Sequence, residues 1–200
     1  MPLHITGFDP RALAAACATA LLVLAGCKDS TGPSGGTPPA ARPAGSGVSV
    51  EAIESQAKGF SVGPVMSSRV VYVFFDTQCP HCAALWDAAK PLKAQARFVW
   101  VPVGVLGPDS LVQGAAILAA PDPAAAMEAH EQTMRESKRG IVPAGNVDTQ
   151  KEAVTRNTKL LDGFGIGSVP TLVMKQAGGV KVQEGSMPTD ALAKWIGAQP

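Results

Sequence analysis

The chain has 200 residues, 46% of them hydrophobic and 16% charged, with a formal net charge of +1 and a pI near 7.7. That length holds one compact domain, and a near-neutral balance without Lys/Arg runs offers no electrostatic footprint for nucleic acid or for an anionic bilayer surface. Aromatic residues are only 5% of the chain, which suits a small-residue core better than an aromatic-lined ligand pocket.

Arg11 precedes an apolar run over 12–25 that is too short to span a bilayer but has the length of an export-signal core. The run ends in Leu24-Ala25-Gly26-Cys27, which resembles the lipobox at which bacterial lipoproteins are cleaved and acylated. Residues 1–26 are therefore expected to be a signal peptide that removes Cys17, and Cys27 the lipidated first residue of the mature chain. Lys28 after it resembles lipoproteins sorted to the outer membrane. Residues 27–47 are dominated by Gly, Pro, Ser, Thr and Ala, a composition that cannot bury enough apolar surface to offset ordering its backbone. Such a tether reaches roughly 25 Å as a flexible coil, and the folded domain is expected over 48–200.

Val50, Ile53, Glu54 and Ala57 fall at helical spacing and predict a short helix stopped by Gly59. Residues 69–75 contain Val-Val-Tyr-Val-Phe-Phe without alternation, the pattern of a strand buried on both faces. Cys82, Leu85, Trp86 and Ala89 then mark the apolar stripe of a helix beginning near Cys79 and ended by Pro91. Residues 96–103 read as a second core strand, closing a parallel strand-helix-strand unit and hence an α/β fold.

From 109 to 164 the pattern is helical. Asp109 or Ser110 can cap one helix, Pro121-Asp122-Pro123 breaks the chain, Met127, His130 and Met134 mark the inner side of a second helix, and Thr149 with Glu152 can form a capping box for a third. Beyond Gly163, Gly165 and Gly167, Pro170 opens a strand over 171–174, and Gly178-Gly179 reads as a hairpin turn into a strand over 180–183. A final helix from about Pro188 carries Leu192, Trp195 and Ile196 inward.

Cys79-Pro80-His81-Cys82 lies where the buried strand ends and a helix starts. Unpaired N–H groups and the positive end of the helix dipole favour an anion there, so Cys79 is expected to be partly thiolate at neutral pH. Pro80 at the first helical position costs no hydrogen bond, and His81 adds a second polarising group. Spacing of i and i+3 brings the sulfurs within bonding reach with Cys82 the less exposed, so Cys79 attacks and Cys82 resolves. A structural disulfide gains little from so short a loop, and a zinc site needs two more ligands, for which only Cys27 and His130 remain in the mature chain.

Val71-Tyr72-Val73-Phe74-Phe75-Asp76 leading into Cys79-Pro80-His81-Cys82, with Val169-Pro170 far downstream, resembles the bacterial periplasmic Dsb proteins. Pro102-Val103-Gly104-Val105-Leu106, Ala115-Ala116-Ile117-Leu118-Ala119 and the helical insertion bring it nearest to the DsbG/DsbC group. The resemblance implies a thioredoxin fold with a helical insertion between the second core strand and the proline strand. It also implies a periplasmic location, a cis proline at Pro170 beside the Cys79–Cys82 pair, substrate pairing to the backbone of Val169, and no cofactor or metal beyond the redox disulfide. Exported proteins with cysteines are the implied clients. The isomerases of this family have an N-terminal dimerisation domain, in whose place this sequence has a signal, a tether and a short helix, so a monomer is expected.

Pro80-His81 and Val169 look like the oxidase DsbA, whereas the surrounding sequence is similar to DsbG. The expected activity is DsbG-like disulfide reduction or isomerisation with a DsbD-like membrane partner, and the alternative is DsbA-like oxidation with a quinone-linked, DsbB-like one. Asp76, three residues before Cys79, either relays a proton for the resolving thiol or caps a turn. Trp86 is expected in the core, with some shielding of the disulfide. Outside enzymology, the same thiols would suit a copper(I)-binding module, or the domain a chaperone that needs no redox chemistry.

Overall fold

The computed structural model describes residues 47–137 and 139–198. The segments expected to be a signal peptide and a tether, with the expected lipidation site Cys27, lie before Gly47 and outside the described residues. The elements are α1 (Val50–Gln56), β1 (Phe60–Val62), β2 (Val70–Phe75), α2 (Pro80–Ala89), a 3₁₀ turn (Lys90–Leu92), β3 (Arg97–Pro102), α3 (Pro108–Ala119), α4 (Pro123–Ser137), α5 (Asp148–Gly163), β4 (Thr171–Gln176), β5 (Gly179–Glu184) and α6 (Thr189–Ile196).

Five strands form one sheet in the order β1-β3-β2-β4-β5. β2 sits at its centre, parallel to β3 and antiparallel to β4, which is why its apolar run shows no alternation. Val71, Val73 and Phe75 face α2 and α6, while Tyr72 and Phe74 face α1 and α5. Burial on both faces withdraws Val71, Val73, Phe74 and Phe75 completely from solvent, worth about 1.5–3 kcal/mol for each large apolar side chain. On the α2 side Trp86 stacks edge-on against Trp100 at 4.9 Å, and Trp100 against Phe75 at 5.6 Å. Central placement of β2 thus puts the segment after Phe75 in the middle of the molecule, at the carboxyl end of the sheet's innermost strand.

The helical insertion α3–α5 lies between β3 and β4. Buried Asn157 of α5 fastens it: its Oδ1 accepts the Lys58 N–H at 2.9 Å, and its Nδ2 donates to the carbonyls of Lys58 at 2.8 Å and Pro102 at 2.9 Å. Those bonds satisfy backbone at a chain crossing that no sheet ladder reaches.

Several boundaries differ from expectation. A strand absent from the sequence reading, β1, pairs antiparallel with β3, and three residues are too few to show a period. Gly59 stops no helix, since α1 is capped by Ala57; it lies against β3, where a Cβ would come within 2.4 Å of the Trp100 carbonyl oxygen. α3 starts at Pro108 behind Gly107, so Asp109 and Ser110 fall inside its first turn and cap nothing. α5 starts at Asp148, whose N–H is taken by Asn146 Oδ1 at 2.8 Å, so Thr149 is already helical and the capping box does not form. Gln176 pairs with Gly179, which makes Ala177-Gly178 the hairpin turn. Trp195 is only half-buried on α6, under the Lys181 ammonium 4.7 Å from its ring.

Candidate active site

The chain leaves β2 at Phe75, turns through Asp76, Thr77 and Gln78, and enters α2 with Cys79 as its N-cap residue and Pro80 at the first helical position. The turn is held from within, because the Asp76 carbonyl accepts the Cys79 N–H at 3.1 Å. It is also held from outside. Asp76 is fully buried; one carboxylate oxygen accepts the Gln78 N–H at 2.8 Å, and the other accepts the N–H groups of Val105 at 2.8 Å and Leu106 at 3.0 Å. The carboxylate therefore ties the turn before Cys79 to the loop after β3, and these contacts are those of a turn-holding residue.

Cys79 and Cys82 are both free thiols, yet their surroundings differ. Cys79 is 7% exposed and Cys82 is 0% exposed. The Cys79 thiol is drawn down to about 6, first by a hydrogen bond from the Cys82 thiol, against the opposing effect of burial, and then by the Cys82 and His81 N–H groups and the His81 charge. Cys82 is pushed far above the usual thiol range by burial, by donating to Cys79 and by the neighbouring Cys79 charge. The Asp76 N–H points at Cys82 Sγ, 3.4 Å away. Pro80 and His81 are exposed beside the pair.

Across the site, the Val169–Pro170 peptide is cis. The Cys79 thiol lies 3.6 Å from the Val169 carbonyl oxygen as a donor. Two loops far apart in sequence are thereby brought together on one sulfur. Trp86 sits one turn beyond Cys82 in the same apolar cluster, its Nε1–H donating to Glu128 at 2.8 Å; it is a core residue anchored to α4.

The insertion also reaches the active-site turn, through residues whose sequence pattern marks them only as a helix face or does not mark them at all. His130 of α4 is fully buried, donates from Nε2 to the Thr77 carbonyl at 2.9 Å, and accepts the Ile141 N–H on Nδ1 at 3.3 Å. Both nitrogens are occupied, so His130 braces the turn and holds no lone pair for a metal; burial lowers its pKa and keeps it neutral. Gln78 Nε2 donates to Gln113 Oε1, and Gln113 Nε2 donates to the Arg139 carbonyl at 2.8 Å. Gly140 closes over this network at φ +66°, where a Cβ would stand 2.6 Å from Gln113 and His130. Glu131 is likewise not singled out by the sequence: the residue is 2% exposed, and burial raises its pKa to about 7. Its neighbours in sequence are helix-forming and mixed, and no spacing signals it. Among the described residues, no group of three or more His, Cys, Asp or Glu is placed to hold a metal ion.

A Cys-x-x-Cys pair at the start of the helix that follows a central strand, opposed by a cis-proline loop, defines a dithiol protein of thioredoxin fold. The chain belongs to the thioredoxin-like domain family, whose model matches residues 65–200. It is similar to the thiol:disulfide interchange protein DsbG of Pseudomonas aeruginosa, 31% identical over 141 residues that cover 68% of this chain and 54% of that protein. It is also similar to DsbG of Escherichia coli, 36% identical over 107 residues, 52% of this chain and 42% of that one. The chain spans about half the length of the curated relatives it matches. Among solved structures, the catalytic domain of Proteus mirabilis ScsC shares the fold with a TM-score of 0.57, covering 74% of this chain and 96% of that domain at 18% identity.

Proposed function

We propose that the chain is a periplasmic thiol:disulfide oxidoreductase acting on exported proteins through Cys79 and Cys82, in the DsbG-like direction of disulfide reduction or isomerisation. The observation that carries the reading is the asymmetry of the two sulfurs: one at the rim and acidic at about 6, the other buried and held protonated.

The Cys79 thiolate attacks one sulfur of a substrate disulfide; that S–S bond breaks, its electron pair leaves with the second substrate sulfur, and this thiolate takes a proton. Cys82 then gives up its proton and attacks Cys79, forming the intramolecular disulfide and expelling the first substrate sulfur as a thiol. The substrate gains two electrons and two protons, and the dithiol loses them. Burial of Cys82 delays its attack until the mixed disulfide has removed the Cys79 charge that opposes its ionisation. In an isomerisation, a substrate thiol resolves the mixed disulfide instead, and the pair ends reduced.

Val169 supports the substrate-binding role assigned to it, since its backbone faces the reacting sulfur. His81 and Pro80 act on Cys79 through charge and turn geometry, and Asp76 positions the turn and, by its charge, disfavours ionisation of Cys82. Lipidation at Cys27 would hold the domain at a membrane within reach of a DsbD-like reductant. The DsbA-like oxidase is a second reading, favoured by the acidity of Cys79, which makes it a good leaving group and the couple more oxidising.

Replacing Cys79 by Ser is expected to abolish insulin-disulfide reduction and scrambled-disulfide repair; undiminished activity would end the reading. Acid-trapping and alkylating the protein from cells decides the direction, with a reduced pair expected for a reductase or isomerase and an oxidised pair for an oxidase.

A further inference from the structure

Between the first turns of α2 and the face of α4 lies a cleft of about 520 Å³, with Gln78, Cys79, Asp87, Glu131, Met134 and Arg135 among its walls. The other carboxylates here are occupied: Asp87 binds Lys90 and Arg135, and Glu128 binds Trp86 and Lys90. Glu131 differs, being 2% exposed with no hydrogen-bond partner among the described residues, only longer-range charges acting on it. Glu131 lines the cleft, so a donor entering there reaches a carboxyl whose surroundings have largely withdrawn it from water.

The charges acting on Glu131 are Asp87 from α2, Lys90 from the 3₁₀ turn, and Glu128 and Arg135 from α4. With Glu131 ionised, carboxylates outnumber cations, and both cations are already bound to Asp87 and Glu128. The field therefore favours an incoming cation. Met134 contributes an apolar, adaptable wall, so the cleft suits a side chain with an alkyl stem and a charged, donating head.

We propose that this cleft is a substrate subsite that takes a lysine or arginine side chain flanking the substrate cysteine, with Glu131 as its acceptor. The assignment rests on Cys79 as the attacking thiol, because the mixed disulfide at Cys79 is what places the flanking residue at the mouth of the cleft. A charge-assisted hydrogen bond to a desolvated carboxylate is stronger than a neutral one, and burial that holds Glu131 up to about 7 makes the gain grow as pH rises through neutrality.

The test uses the full chain carrying Cys82→Ser, so that mixed disulfides at Cys79 persist, with peptide mapping to locate them. It is equilibrated with glutathione disulfide, whose S–S bond Cys79 attacks to release one glutathione thiol, and with blocked tripeptide thiols bearing Lys, norleucine or Glu on either side of the cysteine, which exchange for the bound glutathione. At pH 8 the lysine peptide is expected to be favoured over norleucine by about tenfold in at least one register, and the glutamate peptide to be disfavoured. Glu131→Gln should remove the preference for lysine over norleucine, the neutral norleucine peptide being the reference within each protein; comparing the two proteins cancels each peptide thiol's own acidity. In the protein with Glu131 intact the preference should fade below about pH 6, a result that needs no substitution at that position. Equal preference in both proteins, or a preference independent of pH, would overturn the subsite. Absence of any mixed disulfide at Cys79, glutathione included, would overturn the thiol-exchange reading beneath it.

Discussion

Replacing Cys82 by Ala tests how the site makes its reactive sulfur. The Cys79 thiol is drawn from 9.0 to about 6, which at 1.36 kcal/mol per pH unit is about 4 kcal/mol in favour of the thiolate. The largest contribution is the hydrogen bond from the Cys82 thiol, with the N–H groups at the start of α2 and the His81 charge behind it. A hydrogen bond to a charged acceptor is worth about 1.5–3 kcal/mol. Its removal should therefore raise the Cys79 midpoint by about one to two pH units, leaving the backbone donors in place. Thiolate ultraviolet absorbance and alkylation rate against pH both read this midpoint. A midpoint unmoved by Cys82→Ala would assign the acidity to the helix terminus alone, and a parent protein titrating like free cysteine would refute the account entirely. The same acidity links to stability. Because the folded pKa is depressed, the reduced protein holds the full gain above about pH 9 and loses it as pH falls to about 6, whereas the oxidised protein has no thiolate. The reduced-minus-oxidised difference in urea stability should therefore move toward the reduced form as pH rises between those values, by at most about 4 kcal/mol.

Asp76→Asn places an amide NH₂ where a carboxylate oxygen now takes backbone N–H donors; a loss of about 2–4 kcal/mol is expected, roughly 5–15 °C in thermal unfolding, and an unchanged Tm would contradict the clamp. His130→Leu removes both bonds of the brace and should cost about 2–3 kcal/mol while slowing Cys79 alkylation through a looser turn. Since burial depresses the His130 pKa, the stability it carries is present above the ordinary imidazole value and lost as pH falls below it; the Leu variant should lack that acid-side slope in urea titrations. Glu131 is raised from 4.5 to about 7, so the native protein should lose up to about 3 kcal/mol as pH rises between those values, and Glu131→Gln should not.

Much of this was legible because it is periodic or local. The unbroken run at Val70–Phe75 has only one home in an α/β sheet, its centre, and Cys82, Leu85 and Trp86 fall on one helical face. Those two facts suffice to put Cys79 at a helix N-terminus beside the carboxyl end of a core strand. What stayed hidden depends on meetings across long sequence separation. β1 is too short for a pattern and is defined by its partner β3. By sequence Asp76 reads as either a relay or a turn residue, and its partners, the N–H groups of Val105 and Leu106, lie about 30 positions on. His130 and Glu131 are adjacent in sequence but meet different surroundings: one is satisfied by Thr77 and Ile141, the other faces a cleft. Helix periodicity cannot separate them, because both are buried.

The division of labour follows from where these groups originate. Cys79, Cys82 and Pro80 belong to the strand-helix unit, and Val169 to the loop before β4, so acidity and the facing carbonyl come from the thioredoxin core. His130, Glu131, Met134 and Gln113 come from the insertion, which braces the turn and walls the cleft. The groups that lower the Cys79 pKa, the Cys82 thiol with the N–H groups of Cys82 and His81 and the His81 charge, all belong to α2. Reactivity and selectivity should therefore separate experimentally. Glu131→Gln ought to leave the Cys79 midpoint near 6 while changing which peptides it retains, and Cys82→Ala ought to do the reverse. Should Glu131→Gln shift the midpoint as far as Cys82→Ala does, the insertion would be part of the thiol's electrostatics, and the selectivity assigned to it would need a different explanation.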